Sequence, residues 1–280
     1  MKRIFLLIAC ISASLLSACG GDSNFPTPTG EGDVRMINAI PGSPNIFFLI
    51  EERVLSEVEY QLSSNPESYD DFEYNFNFDI RYPGELGLTR VATEPFKVEA
   101  DRDHIFLLTG DANAPTVSVW SGDIREWEEA DTEFEVRFAH AVASLSDSDI
   151  DIYLDEVGTA PGTNPPVATL SYGEIANPAD FEEGGYVITV TDAGDDPANP
   201  DAVLFASNET SLLPQFAHVI TIFDGDGSDT SPFMAQSMTS SGNPLTFTDA
   251  RFPPQTRFIH GAYTLCLLYT SDAADDRYKV

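Results

Sequence analysis

Val136-Arg137-Phe138-Ala139-His140-Ala141-Val142 is the stretch on which the reading of the fold turns, because the chain writes it three times. An earlier copy reads Val34-Arg35-Met36-Ile37-Asn38-Ala39-Ile40, and a later one Thr256-Arg257-Phe258-Ile259-His260-Gly261-Ala262. The arginines of successive copies lie 102 and 120 residues apart. That period is too long for a solenoid unit and suits a string of whole small domains.

What surrounds each copy is a run of short strands. After Val34–Ala39 comes a turn at Pro41-Gly42-Ser43-Pro44, then an apolar strand at Ile46–Ile50. Phe76-Asn77-Phe78-Asp79-Ile80 alternates apolar and polar residues, as a half-buried strand does. Tyr82-Pro83-Gly84 turns into a strand at Leu86–Val91, and His104–Leu108 is a compact apolar strand followed by Val117–Trp120. The second copy is followed by Ile150-Asp151-Ile152-Tyr153-Leu154. Glu183–Val190 comes next and reads as the match of the turn and strand at Tyr82–Val91, and His218–Phe223 with Asp224-Gly225-Asp226 matches His104–Asp111. Only Glu51–Leu62 hints at a helical period, and it reads equally as a strand and a loop. Short strands separated by Gly, Pro and Asp turns predict an all-β chain of tandem β-sandwich domains.

These phrases resemble domain-of-unknown-function family 4397, on the order Arg-hydrophobic-x-His-Ala, a Pro/Asp/Ser turn, and an alternating strand ending near a tyrosine. The resemblance covers residues 33–125 and 133–250, with a third copy starting near Thr256. It implies immunoglobulin-like or prealbumin-like β-sandwiches in a bacterial surface protein, and it brings no catalytic residues. Asn38 stands where the pattern has His, and Ala143 interrupts the Pro-containing turn of the second copy.

The ends of the chain read differently. Lys2 and Arg3 precede a short apolar run, Ile4–Leu16, so residues 1–18 form a signal peptide. It closes on Leu16-Ser17-Ala18-Cys19-Gly20, which resembles the bacterial lipobox. That resemblance makes Cys19 the first mature residue and the site of lipidation, including palmitate. Several acyl chains anchor stably where one is marginal. With Gly20 and not Asp after the cysteine, the outer membrane of a Gram-negative cell envelope is the expected location. Residues 19–32 are rich in Gly, Pro and Thr and read as a flexible tether. Residues 255–265 open a third repeat. Beyond them, Cys266-Leu267-Leu268-Tyr269-Thr270-Ser271 back-translates to TGT-CTC-TTA-TAC-ACA-TCT, which resembles the end of a transposase-based sequencing adapter. Residues 266–280 are therefore expected to be an adapter-derived artefact and the native protein to be longer.

Charge is the extreme feature of the composition: 46 Asp and Glu against 14 Lys and Arg, a formal net charge of −32. Such a surface repels nucleic-acid phosphates and anionic head groups, which leaves the lipid at Cys19 as the membrane contact. A solvated acidic coat is the general reading and cation binding the specific one. The three cysteines, at 10, 19 and 266, leave no pair for a disulfide in the repeats.

Few residues offer chemistry. The four histidines fall into repeat-equivalent pairs, His140 with His260 and His104 with His218. Recurrence at one strand position points to packing or a local hydrogen bond, and Asn38 supports this because Asn bonds without titrating near neutrality. No nucleophile elbow, His-Glu-x-x-His pair or phosphate loop occurs, so catalytic residues are assigned to none. The sharpest ligand candidate is Asp224, Asp226 and Asp229, hard oxygen donors suited to Ca²⁺ as the one conceivable cofactor. The loop begins like an EF-hand and lacks its sixth-position Gly and twelfth-position Glu. A second acidic loop runs from Asp192 to Asp196. Trp120, Trp127 and the aromatics between Tyr69 and Phe78 read either as a binding face or as sandwich core.

The expectation is a non-enzymatic, lipid-anchored envelope protein with a surface binding, adhesion or structural role and a glycan or protein partner. The alternatives are an envelope enzyme with its active site C-terminal to residue 265, and a calcium-stabilised module.

Overall fold

A computed structural model of the chain describes residues 26–225, 231–238 and 244–252. Cys19, Asp226, Asp229 and the third copy of the phrase, with His260, lie outside the described residues. No helix among the described residues is long and apolar enough to cross a membrane.

The first repeat contributes β1 (Glu31–Asn38), β2 (Ile46–Ile50), β3 (Arg53–Val58), β4 (Glu67–Asp70), β5 (Glu73–Ile80), β6 (Thr89–Lys97), β7 (Arg102–Asp111) and β8 (Ala114–Asp123). The second contributes β9 (Glu133–Ala141), β10 (Ile150–Glu156), β11 (Ala168–Leu170), β12 (Ala179–Glu182), β13 (Gly185–Asp192) and β14 (Val203–Ala206). It is completed by β15 (Thr210–Ser211), β16 (Ala217–Asp224), β17 (Phe233–Met238) and β18 (Leu245–Phe247). Repeat one forms two sheets, β4-β1-β7-β8 and β3-β2-β5-β6. Repeat two forms β12-β9-β16-β17-β18 and β11-β10-β13-β14, with β15 beside β13. The chain is thus all-β, built from paired sheets. The immunoglobulin arrangement places the first, second, fourth and fifth strands in one sheet. Here the first strand instead lies parallel to the seventh, with Arg35 opposite Ile105. In repeat two Arg137 lies opposite Val219 in the same way.

The repeated phrase works through the two-residue period of a strand. Val34 and Met36 point inward to a core with Phe48, Phe76, Phe78 and Phe106, where the rings of Phe76 and Phe106 sit 4.6 Å apart. Val136 and Phe138 enter the equivalent core of repeat two beside Ile152, Ile188, Phe205 and Ile222. The alternate residues of the same strands are apolar as well. Ile37, Ala39, Ala139 and Ala141 are fully buried in a third cluster shared by both repeats. Strands buried on both faces pack four sheets into one continuous stack.

Three sequence expectations change. The strand within Glu183–Val190 is β13, which pairs with β10 as β5 pairs with β2, so its counterpart is Glu73–Ile80 and not the turn and strand at Tyr82–Val91. The strand expected from Leu86 begins at Thr89, and Leu86 sits fully exposed in the preceding turn. β1 starts at Glu31, inside the expected tether, because Glu31 pairs with Asp70 and Thr29 is held by the Asp71 carboxylate (2.8 Å from its N–H). Glu51–Leu62 is β3 with flanking turns, the strand-and-loop alternative.

Candidate functional site

The seam between the repeats gathers the residues with the most chemistry. Its apolar half is Ile37, Ala39, Ile105 and Leu107 of repeat one against Ala139, Ala141, Val219 and Phe223 of repeat two. The alanines keep both phrase strands low-profile, so two sheets approach face to face. Tyr60 meets Phe223 edge-on at 6.2 Å, and the Gln61 side chain donates to the Asp224 carbonyl at 2.9 Å.

The polar half is a buried charge cluster. Arg35 and Arg137, the arginines of the two phrase copies, are 4% and 2% exposed. Arg35 Nη2 donates to Asp103 Oδ2 at 2.5 Å, and Arg137 Nη1 reaches the same oxygen at 3.3 Å. Arg137 Nη2 donates to Glu135, two residues earlier on its own strand and on the same face. The Trp120 ring covers the Arg137 guanidinium, 3.9 Å from the ring centroid. Burial pushes the Arg137 guanidinium below its ordinary value, and Glu135 and then Asp103 push it back up. Removing charges this far from water is costly unless they are paired, and here two arginines meet two acids.

Above the cluster lies a cavity of about 260 Å³, lined by Arg35, Asp103, Arg125, Trp127, Arg137 and Phe216 among others. Its outer wall is the linker between the repeats. Gln215 clamps that linker, its side-chain amide donating to the carbonyls of Glu128 (3.0 Å), Glu129 (3.2 Å) and Asp131 (3.0 Å). Gln215 holds a left-handed φ of 60° to do so. Arg125 stacks on Trp127 at 4.0 Å and pairs with Glu133 and Asp180, Glu133 raising its pKa most. A second, wider groove of about 640 Å³ runs between edge strand β8 at Ser118–Trp120 and edge strand β11.

The three described histidines are bonded within the fold. His140 Nδ1 accepts from the Val142 N–H at 3.2 Å, and Nε2 faces the Ser148 carbonyl at 3.3 Å. Asn38 makes the same pair of bonds: Oδ1 accepts from the Ile40 N–H (3.2 Å) and Nδ2 donates to the Val58 carbonyl (3.1 Å). His104 and His218 likewise hold serines, Ser121 and Ser237, at 2.8 and 2.9 Å. Burial pushes all three imidazoles below their ordinary value.

Of the acidic-loop residues, the described Asp224 and Asp196 are drawn into local structure. Asp224 ends β16, and its carboxylate accepts from the Ala143 N–H (2.7 Å) and the Ser144 hydroxyl (2.5 Å). It thereby fastens the 3₁₀ turn Ala143–Leu145, the place where the phrase pattern is interrupted. In the other loop Asp196 accepts from Ala198 N–H at 2.9 Å, and the Gly194 N–H donates to Asp151 at 2.7 Å. No group of three or more His, Cys, Asp or Glu among the described residues is arranged to hold a metal. Of the aromatic candidates, Phe76 and Phe78 are core, while Trp120 and Trp127 are both half-buried on arginines of the seam.

Sequence reasoning singled out the arginine phrase but missed the acids that answer it. Asp103 is 68 residues from Arg35 and 34 from Arg137. The available signal was Asp103 itself, an acid immediately before the apolar run His104–Leu108. A comparison with known families found no matching family model, and a comparison with curated proteins found no match.

Proposed function

We propose that the chain is a lipid-anchored protein of the bacterial cell envelope whose tandem sandwiches form a stiff, non-enzymatic binding or structural rod of the family 4397 type. The observation that carries this reading is the use made of the repeated phrase. Its arginines close the seam, its alternate residues fill two cores, and its His or Asn ties a turn. A motif spent on stacking suits a spacer that presents its loops and grooves to a partner. The groove beside β8, with its unpaired strand edge, suits an extended protein segment or a glycan chain. The strongly acidic surface suits a role in contact with solvent outside the cytoplasm.

The test is metabolic labelling of cells with an alkynyl palmitate, together with protease shaving of intact cells. Wild type is expected to take up label, to partition into detergent and to be shaved from the surface. The Cys19→Ala variant is expected to lose label and detergent partitioning. Label retained in the variant, or wild-type protein that stays in the aqueous phase, overturns the anchor. A shaving-resistant wild type overturns the surface role.

A further inference from the structure

We propose that the seam cavity binds a small zwitterion of the α-amino-acid class with an apolar side chain. This site goes beyond the envelope role and does not depend on it. Residues 26–252 contain nine Lys and Arg in an otherwise acidic chain, and three of them, Arg35, Arg125 and Arg137, line this one cavity of about 260 Å³. Asp33, Asp103 and Asp123 line it too, so the formal charges cancel.

The lining residues that are most buried also hold spare hydrogen-bond capacity. Arg35, Asp103 and Arg137 are 4%, 8% and 2% exposed. Nε of both arginines and Oδ1 of Asp103 have no hydrogen-bond partner among the described residues. Buried polar atoms are nearly always satisfied, so orphans on three residues that line a cavity call for a partner, which a polar ligand supplies once these side chains turn toward it. Two N–H donors call for a carboxylate, and one anionic oxygen calls for an ammonium group. A ligand carrying both leaves the local charge balance intact. A simple anion or cation adds an unpaired charge to a desolvated cluster.

Part of the remaining wall is apolar. Trp127, Phe216 and Ile124 provide it, and the Gln215 clamp on the linker fixes the segment that carries Trp127. A cavity placed between domains, with both apolar residues and convergent polar groups in its wall, has the anatomy of a small-molecule site. At this size it suits a molecule smaller than a drug.

The test is isothermal titration of the full chain at pH 7 with L-leucine and L-phenylalanine, each beside its deaminated and decarboxylated counterparts, 4-methylpentanoate and 3-methylbutylamine, or 3-phenylpropanoate and phenethylamine. At least one amino acid is expected to bind saturably, at least tenfold more tightly than either of its counterparts. Asp103→Asn, which keeps a hydrogen-bonding side chain, and Trp127→Ala, which alters the outer wall and the support of Arg125 but touches neither Arg35 nor Arg137, are each expected to weaken binding at least tenfold. Circular dichroism of Trp127→Ala is expected to match wild type, so that its loss reports the site and not the fold. No saturable heat with either amino acid overturns the proposal, as does a bare carboxylate that binds as tightly as the amino acid. Full affinity in both variants places any binding elsewhere and overturns it as well.

Discussion

Asp103→Ala is the most informative single change, because one carboxylate oxygen serves the arginines of both repeats. Its loss leaves Arg35 without its ion-pair partner at 4% exposure, and Arg137 with Glu135 alone. Breaking a buried pair by removing one partner costs about 3–5 kcal/mol, since the remaining charge stays desolvated. Melting temperature falls by about 2–4 °C per kcal/mol in a protein of this size, which gives a loss of about 6–20 °C. Each repeat keeps its own core in this variant, so the seam should fail first. Scanning calorimetry should therefore resolve the single transition of the wild type into two, and mild proteolysis should cut the linker near Glu128–Asp131. The counter-experiment replaces the whole cluster by apolar residues: Arg35→Met, Asp103→Leu, Glu135→Leu and Arg137→Met together. Removing every charge at once is expected to be near neutral or stabilising. A loss below about 1 kcal/mol for Asp103→Ala, or a fourfold variant as unstable as the single one, would falsify the account of the seam as a mutually dependent charge cluster.

Three further outcomes follow from named contacts. Gly122→Ala puts a Cβ into the Trp120 ring, so Trp120 must leave Arg137; a loss of about 1–3 kcal/mol is expected in urea unfolding, with quenching of the Trp120 fluorescence environment. Because burial lowers the folded-state pKa of His140, the stability it contributes is fully present above about pH 6.5 and is lost as pH falls through the lowered value. The His140→Asn variant, built on the Asn38 precedent, should lie close to wild type at pH 8 and lose less stability than wild type between pH 7 and 5. Asp224→Ala removes the anchor of the 3₁₀ turn and is expected to cost about 1 kcal/mol in the same assay. With the Asp224 carboxylate held by these donors, wild type should melt at one temperature in Ca²⁺ and Mg²⁺. A Ca²⁺-specific rise that Asp224→Ala abolishes would reinstate the metal site.

Much of the fold was legible because strand periodicity is local. The alternation in Ile150–Leu154, and the run Val34–Ile40 with its copy Val136–Val142, place side chains on faces without knowledge of anything distant. The same runs also held an unread signal. Ile37, Ala39, Ala139 and Ala141 fall on the face opposite the core, and apolar residues on both faces of a strand mean that both are covered. The mismatch of β13 arose because a Gly-Tyr turn resembles its neighbour more closely than its true counterpart, and only the pairing of β13 with β10 settles the register. Asn38 was legible for a chemical reason: Asn and His share a donor and an acceptor at similar reach, so their exchange across repeats identifies a hydrogen bond. The seam acids and the cavity were not legible, since Asp103, Trp127 and Gln215 come together only through long-range pairing.

The asymmetry of the cluster explains how two similar repeats recognise each other in one arrangement. On the parallel strand pair of repeat one, Asp33 sits opposite Asp103. On that of repeat two, Glu135 sits opposite Ala217. The acid that takes both arginines is therefore supplied by repeat one alone. Two copies of repeat two meeting through this face would bring their arginines together, each with its own Glu135 but with no carboxylate between them, and two copies of repeat one would bring two Asp103 carboxylates together. Every pairing holds two arginines and two of these acids, so net charge does not discriminate; each like pairing sets like charges face to face out of water, whereas the unlike pairing sets Asp103 between the two arginines. Apolar residues supply the area of the seam, but apolar area is indifferent to which repeat provides it. The charges make the choice, and they make it within one chain.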